Sequence, residues 1–191
     1  MDLLEFTADV EADPTIAEKF RAACNMMFEQ ENAGFRFVGG KIAEITAREE
    51  TQSVEDALEH AAVLPGVGTH LRTALSHLTD RDKPDYRNSI KESISAIESL
   101  VRAIAGKDAT LSDALKVLEQ REALHGALRK AFDSLYGYTS DAGGLRHAML
   151  EEKTHTKADA QFMLIACSAF TNYILGKLGE RGIDPRKLEG R

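Results

Sequence analysis

Apolar residues recur along most of this chain at spacings of three and four, the period of a helix with one buried face. Ile16, Phe20, Cys24, Met27 and Phe28 predict a first helix from about Pro14 to Asn32. The period then changes. In "GFRFVGGKIAEIT" short β-prone runs flank Gly39-Gly40, which predicts a small hairpin over residues 35–45. Ser53 reads as an N-cap for a helix through Val63. A further helix runs from about Pro65 to Leu78, with Val67, Leu71, Ala74, Leu75 and Leu78 on one face. The polar break "TDRDKPDY" follows. After it, Ile90, Ile94, Ile97, Val101 and Ile104 form a narrow seam suited to bundle packing, and Gly106 ends that helix. Short helices are expected from about Leu111 to Gln120 and from Arg121 to Leu135. The last helix starts near Thr156, which has capping-box spacing to Asp159. From Phe162 to Leu175 it is apolar nearly all round, so it belongs in the middle of a bundle or between two copies of one.

These elements predict an all-α fold with one small β-hairpin. Three parts are expected: an N-terminal helical part with the hairpin over residues 1–82, a helical bundle over 83–179, and a polar tail over 180–191. Pro14, Pro65, Pro84 and Pro185 fall at the expected element boundaries, where a fixed φ and a missing N–H cost least.

Composition agrees with this reading. The 43% apolar content is enough for a real core, and helix formers dominate over β-branched runs. The net charge of −7 argues against a broad nucleic-acid surface but leaves room for a small local site. Cys24 and Cys167 are far apart, each in an apolar helical stretch, and are read as buried thiols in a reducing cytosol. The acidic start "MDLLEFTADVEAD" does not read as a signal peptide, and no run of about 18 apolar residues is present. The expectation is a cytoplasmic protein that does not cross a membrane.

The chemistry-bearing residues gather at "SDAGGLRHAMLEE". A glycine-containing loop runs into Arg146 and His147 at a helix start. Free backbone N–H groups and a guanidinium there can hold a phosphate. A histidine near neutral pKa can move protons, and Glu151, four residues on, can orient His147. The plainer alternative is an exposed first turn of ordinary polar residues. Asn88, Lys91 and Glu92 lie on the polar side of the isoleucine helix. They are either a solvated face, with Asn88 and Glu92 as an i,i+4 pair, or a polar network under the Arg-His loop. Arg72 and His77 are five residues apart on one helix and so face different directions. The six histidines show no zinc spacing, and no phosphate-binding or dinucleotide glycine motif is present, so neither metal nor cofactor is expected.

Four blocks, "NAGFRFVGGKI", "LTDRDKPDYRNSIKESISAIESL", "LYGYTSDAGGLRHAMLEE" and "AQFMLIACSAFTNYI", resemble the HEPN-like domain family of bacterial abortive-infection proteins, of the AbiJ type. The resemblance covers residues 20 to 178 and is most specific at 85–98 and 136–151. It implies a HEPN-like helical bundle that works as a homodimer in antiphage defence. It also implies a metal-independent endoribonuclease toxin, with RNA as substrate and an antitoxin or other defence partner. In such domains an arginine steadies charge on the phosphate, and a histidine four to six residues later moves the proton. Here Arg146 matches the arginine, but His147 follows it directly, and Leu150, Glu151 and Glu152 occupy the usual histidine positions. The alternative is a non-catalytic HEPN-like module for sensing, RNA or nucleotide binding, or dimerisation.

Overall fold

The computed structural model describes residues 3–31, 33–45, 47–106, 111–120, 124–140 and 155–184. The observed class is the expected one, all-α with a two-stranded antiparallel hairpin. Helices α1 (Leu3–Val10) and α2 (Pro14–Gln30) come first, then strands β1 (Arg36–Val38) and β2 (Lys41–Ala43). Helix α3 (Arg48–His60) passes through a 3-10 turn into α4 (Pro65–Thr79). Helices α5 (Tyr86–Ala105), α6 (Leu111–Gln120), α7 (Gly126–Ser140) and α8 (Lys157–Glu180) complete the order.

Helix α4 and helix α5 run antiparallel. Their contacts pair residues in opposite order: Ser89 donates to the Ala74 carbonyl at 2.8 Å, His70 meets Glu92, and Gly66 faces Ser99. Ser89 and Ser93 are fully buried, and their small side chains allow the two helices to approach closely. The seam residues Ile90, Ile97, Val101 and Ile104 are buried, and Ile94 packs at its edge. The polar break at 79–85 is the link between these two helices.

Helix α8 is the central element. One wide face of it, including Met163, Leu164, Cys167, Phe170 and Ile174, is buried against α3, α4 and α5, while Phe162 is exposed. Phe170 also meets Phe132 of α7, with ring centroids 3.8 Å apart. The chain's own bundle covers this face, which is the first of the two placements expected for the helix. Among the described residues, α8 alone is long and apolar enough, by length and composition, to cross a membrane. The absence of an unbroken apolar run did not reveal this, because Ser168, Thr171 and Asn172 interrupt the helix without lowering its mean hydropathy enough.

One cluster of buried residues extends from Val38 to Leu178. A second, smaller one joins α1, α2 and the hairpin through Ala8, Cys24, Phe37 and Ile42. Polar ties hold this smaller unit. The buried Glu5 carboxylate accepts the Ile42 N–H at 2.6 Å. Asn25 accepts from the Phe37 N–H at 2.7 Å and donates to the Phe37 carbonyl at 3.0 Å, so its amide serves strand β1 as a missing partner would.

Several expectations are corrected. Helix α3 starts five residues before Ser53, with Ala47 as an N-cap that offers no side-chain bond, because Glu49 and Glu50 already suit a first turn. Ser53 lies inside the helix, where its carbonyl accepts from Asn172 at 2.8 Å. Ile16 and Met27 are half exposed, since the covered face of α2 is centred on Ala17 and Cys24. Helix α1 was not foreseen, and α7 begins at Gly126 rather than Arg121. The Thr156–Asp159 capping box forms as expected.

Candidate functional site

Arg146, His147 and Glu151, which the sequence singles out, lie outside the described residues. The three expected supporting residues on α5 are described, and they have separate roles. Asp85 caps α5 by accepting the Asn88 N–H at 2.9 Å, and the Asn88 amide donates to the other Asp85 oxygen at 2.7 Å. These bonds hold the Asp85 carboxyl below its usual range, the backbone bond contributing most. Asn88 is therefore committed to the cap. Glu92 turns instead to His70 of α4, with Oε2 2.6 Å from Nδ1. The expected Asn88–Glu92 pairing does not form, because each residue has a closer partner. Lys91 is exposed on the next helical position.

The His70–Glu92 pair was missed in the sequence because its members lie 22 residues apart on two helices. Both side chains are partly covered, at 35% and 20% exposure. The carboxylate fixes the ring through Nδ1, which makes Nε2 the free nitrogen for proton transfer or a ligand. The geometry is that of an oriented base, although no described nucleophile sits beside it. The other described polar links are structural. His60 lies 3.1 Å from Asn172, which also bonds Ser53, so α3 is clamped to α8. Arg129 bridges Glu119 and Asp133 between α6 and α7. Cys167 is fully buried, and burial pushes its thiol up to about 12, so it is no nucleophile. Among the described residues, no group of three His, Cys, Asp or Glu side chains converges as a metal site would.

A cavity of about 210 Å³ opens where the hairpin, the α4–α5 link and the start of α8 meet. Phe35 and Ile42 line it from the hairpin, Leu78 and Tyr86 from the link region, and Lys157 and Gln161 from α8. Lys157 forms an ion pair with Glu44 at its wall.

The described frame is thus a helical bundle with a hairpin unit attached at one end. Residues 1–60 match the family model described as AbiJ N-terminal domain 4. The match takes in α1, α2, the hairpin and α3, ends where α3 ends, and spans under a third of the chain. It associates the chain with the AbiJ-type abortive-infection proteins. It includes the block "NAGFRFVGGKI" but not the segments 85–98 and 136–151 on which the resemblance was most specific. No curated relative and no solved structure matches the chain.

Proposed function

We propose that this chain is an antiphage defence protein whose C-terminal part is a HEPN-like bundle that cuts RNA as a homodimer. The observation that carries the reading is the AbiJ N-terminal match over residues 1–60, joined in one chain to the Arg146-His147 segment. In this reading Arg146 holds the scissile phosphate and offsets the charge that develops on it. His147 removes the proton from the 2′-hydroxyl that attacks that phosphate. The bond to the next nucleotide's 5′-oxygen breaks to leave a 2′,3′-cyclic phosphate, the leaving 5′-oxygen takes up a proton, and Glu151 orients the imidazole. The reaction needs no metal.

A second reading has its own support. The net charge of −7 speaks against a broad RNA-cutting surface, and the cavity beside the hairpin offers a small ligand site to a sensing module that does not cut RNA. Phage challenge of bacteria that express the chain tests the defence role, and the Arg146→Ala, His147→Ala variant separates the two readings. Protection by the wild type and its loss in the variant supports the first. Equal protection by both supports the second. Plaque numbers unchanged by either protein contradict both.

A further inference from the structure

We infer that the cavity between the hairpin, the α4–α5 link and α8 is a binding site for a single unpaired nucleobase, taken from a free nucleoside or from single-stranded RNA. At about 210 Å³ the space is smaller than the roughly 300–1,000 Å³ of sites for drug-sized ligands, and it suits one ring system. Its floor is apolar, formed by Ile42, Ile45 and Leu78, all buried. Phe35 stands at its edge with 43% of its surface exposed, an uncovered aromatic ring on which a base can stack.

The polar lining decides the class of ligand. The charges at the cavity are already engaged within the protein. Glu44 pairs with Lys157, and Asp80 accepts the N–H groups of Asp82 and Lys83 at 3.0 and 2.9 Å. Arg81 also has an interaction of its own. The Thr79 hydroxyl donates to the Leu75 carbonyl. Two partly buried groups remain uncommitted to any described residue: the Tyr86 hydroxyl and the Gln161 amide. An amide offers a donor and an acceptor side by side, the pattern presented by the edge of a base. The balanced, self-paired charges favour a neutral planar ligand over an anion. The hairpin wall lies within the AbiJ-matched segment and the facing wall on α5 and α8, so the ligand would bridge the two.

The source that is RNA deepens the RNA-directed reading above, but the site stands on its own residues and not on Arg146 or His147. Calorimetry on the purified full chain tests it with adenosine, guanosine, cytidine and uridine, then with single-stranded oligonucleotides carrying the same bases, and with an abasic oligonucleotide. The expected result is saturable binding of at least one nucleoside. Gln161→Leu and Tyr86→Phe should each weaken it by about tenfold or more, with melting temperatures near wild type. Tyr86→Phe removes one oxygen and keeps the test open if Gln161→Leu fails to fold. Tighter binding of the oligonucleotide than of the nucleoside, lost in the abasic strand, identifies RNA as the source; equal affinity identifies the free nucleoside. The Arg146→Ala, His147→Ala variant should bind as wild type does, so a failure of the cleavage mechanism leaves this result intact. Absence of binding at millimolar concentration, or binding indifferent to both cavity variants, overturns the inference.

Discussion

Gly39 and Gly40 turn the hairpin with φ of 54° and 86°, which side-chain-bearing residues rarely adopt. The two positions differ in what surrounds them. A Cβ on Gly39 would come within 2.6 Å of Leu58 Cδ1, whereas a Cβ on Gly40 would meet nothing within 4 Å. Gly40→Ala should therefore cost only the left-handed backbone term, about 1–2 kcal/mol. Gly39→Ala should cost more, because the packed Leu58 and Leu75 side chains must also give way, and urea unfolding of the two variants reads the difference directly. The sequence made this turn visible, since Gly-Gly between β-prone runs has few other uses. It could not show Leu58 closing over one glycine and not the other, because that contact depends on where α3 packs. His70 and Glu92 escaped notice for the same reason. Neither belongs to a local motif, and only the antiparallel packing of α4 on α5 brings them to 2.6 Å.

Helices with chemical punctuation were easiest to read in advance. Thr156 and Asp159 exchange bonds at the start of α8 as their spacing predicts; Asp85 with Asn88 does the same work for α5, a cap that was not foreseen. The bonds hold both carboxyls, Asp85 and Asp159, below their usual range, the backbone N–H contributing most in each. A lowered folded-state pKa stabilises the protein above the unfolded value of about 3.9, and that stabilisation is lost as pH falls through the folded value. Denaturant midpoints followed from pH 6 downward should thus fall below about pH 4. Asp85→Asn and Asp159→Asn retain an oxygen for the cap but cannot titrate, so their profiles should be flatter than wild type over this range. Where no such punctuation exists, the sequence misled. Helix α3 is capped by Ala47 with no side-chain bond, so Ser53, a good cap residue by type, drew the boundary six residues late. Helix α1 is eight residues long, about two turns, too short for its apolar spacing to stand out.

At the scale of the whole molecule, periodicity predicted that α8 would be covered but left open what covers it. The chain's own α3, α4 and α5 cover one face of α8, while Phe162 on another face stays 59% exposed. The hairpin joins this bundle through Val38, Ala43 and Ile45, which share its core, and Asn172 clamps α3 to α8 by bridging His60 and Ser53. The cavity between the hairpin, the α4–α5 link and the start of α8 was invisible in the sequence, because Phe35, Tyr86 and Gln161 come from three distant stretches. Arg146 and His147, by contrast, stand out by adjacency and by the glycine loop before them. The central claim is that these two residues cleave RNA without a metal. Its most direct test is the rate at which the purified chain cuts single-stranded RNA in excess EDTA, set beside the Arg146→Ala, His147→Ala variant. The account predicts cleavage by the wild type and a loss of about 10²–10⁴-fold in the variant. Equal rates for the two proteins, or no cleavage by either, would contradict it.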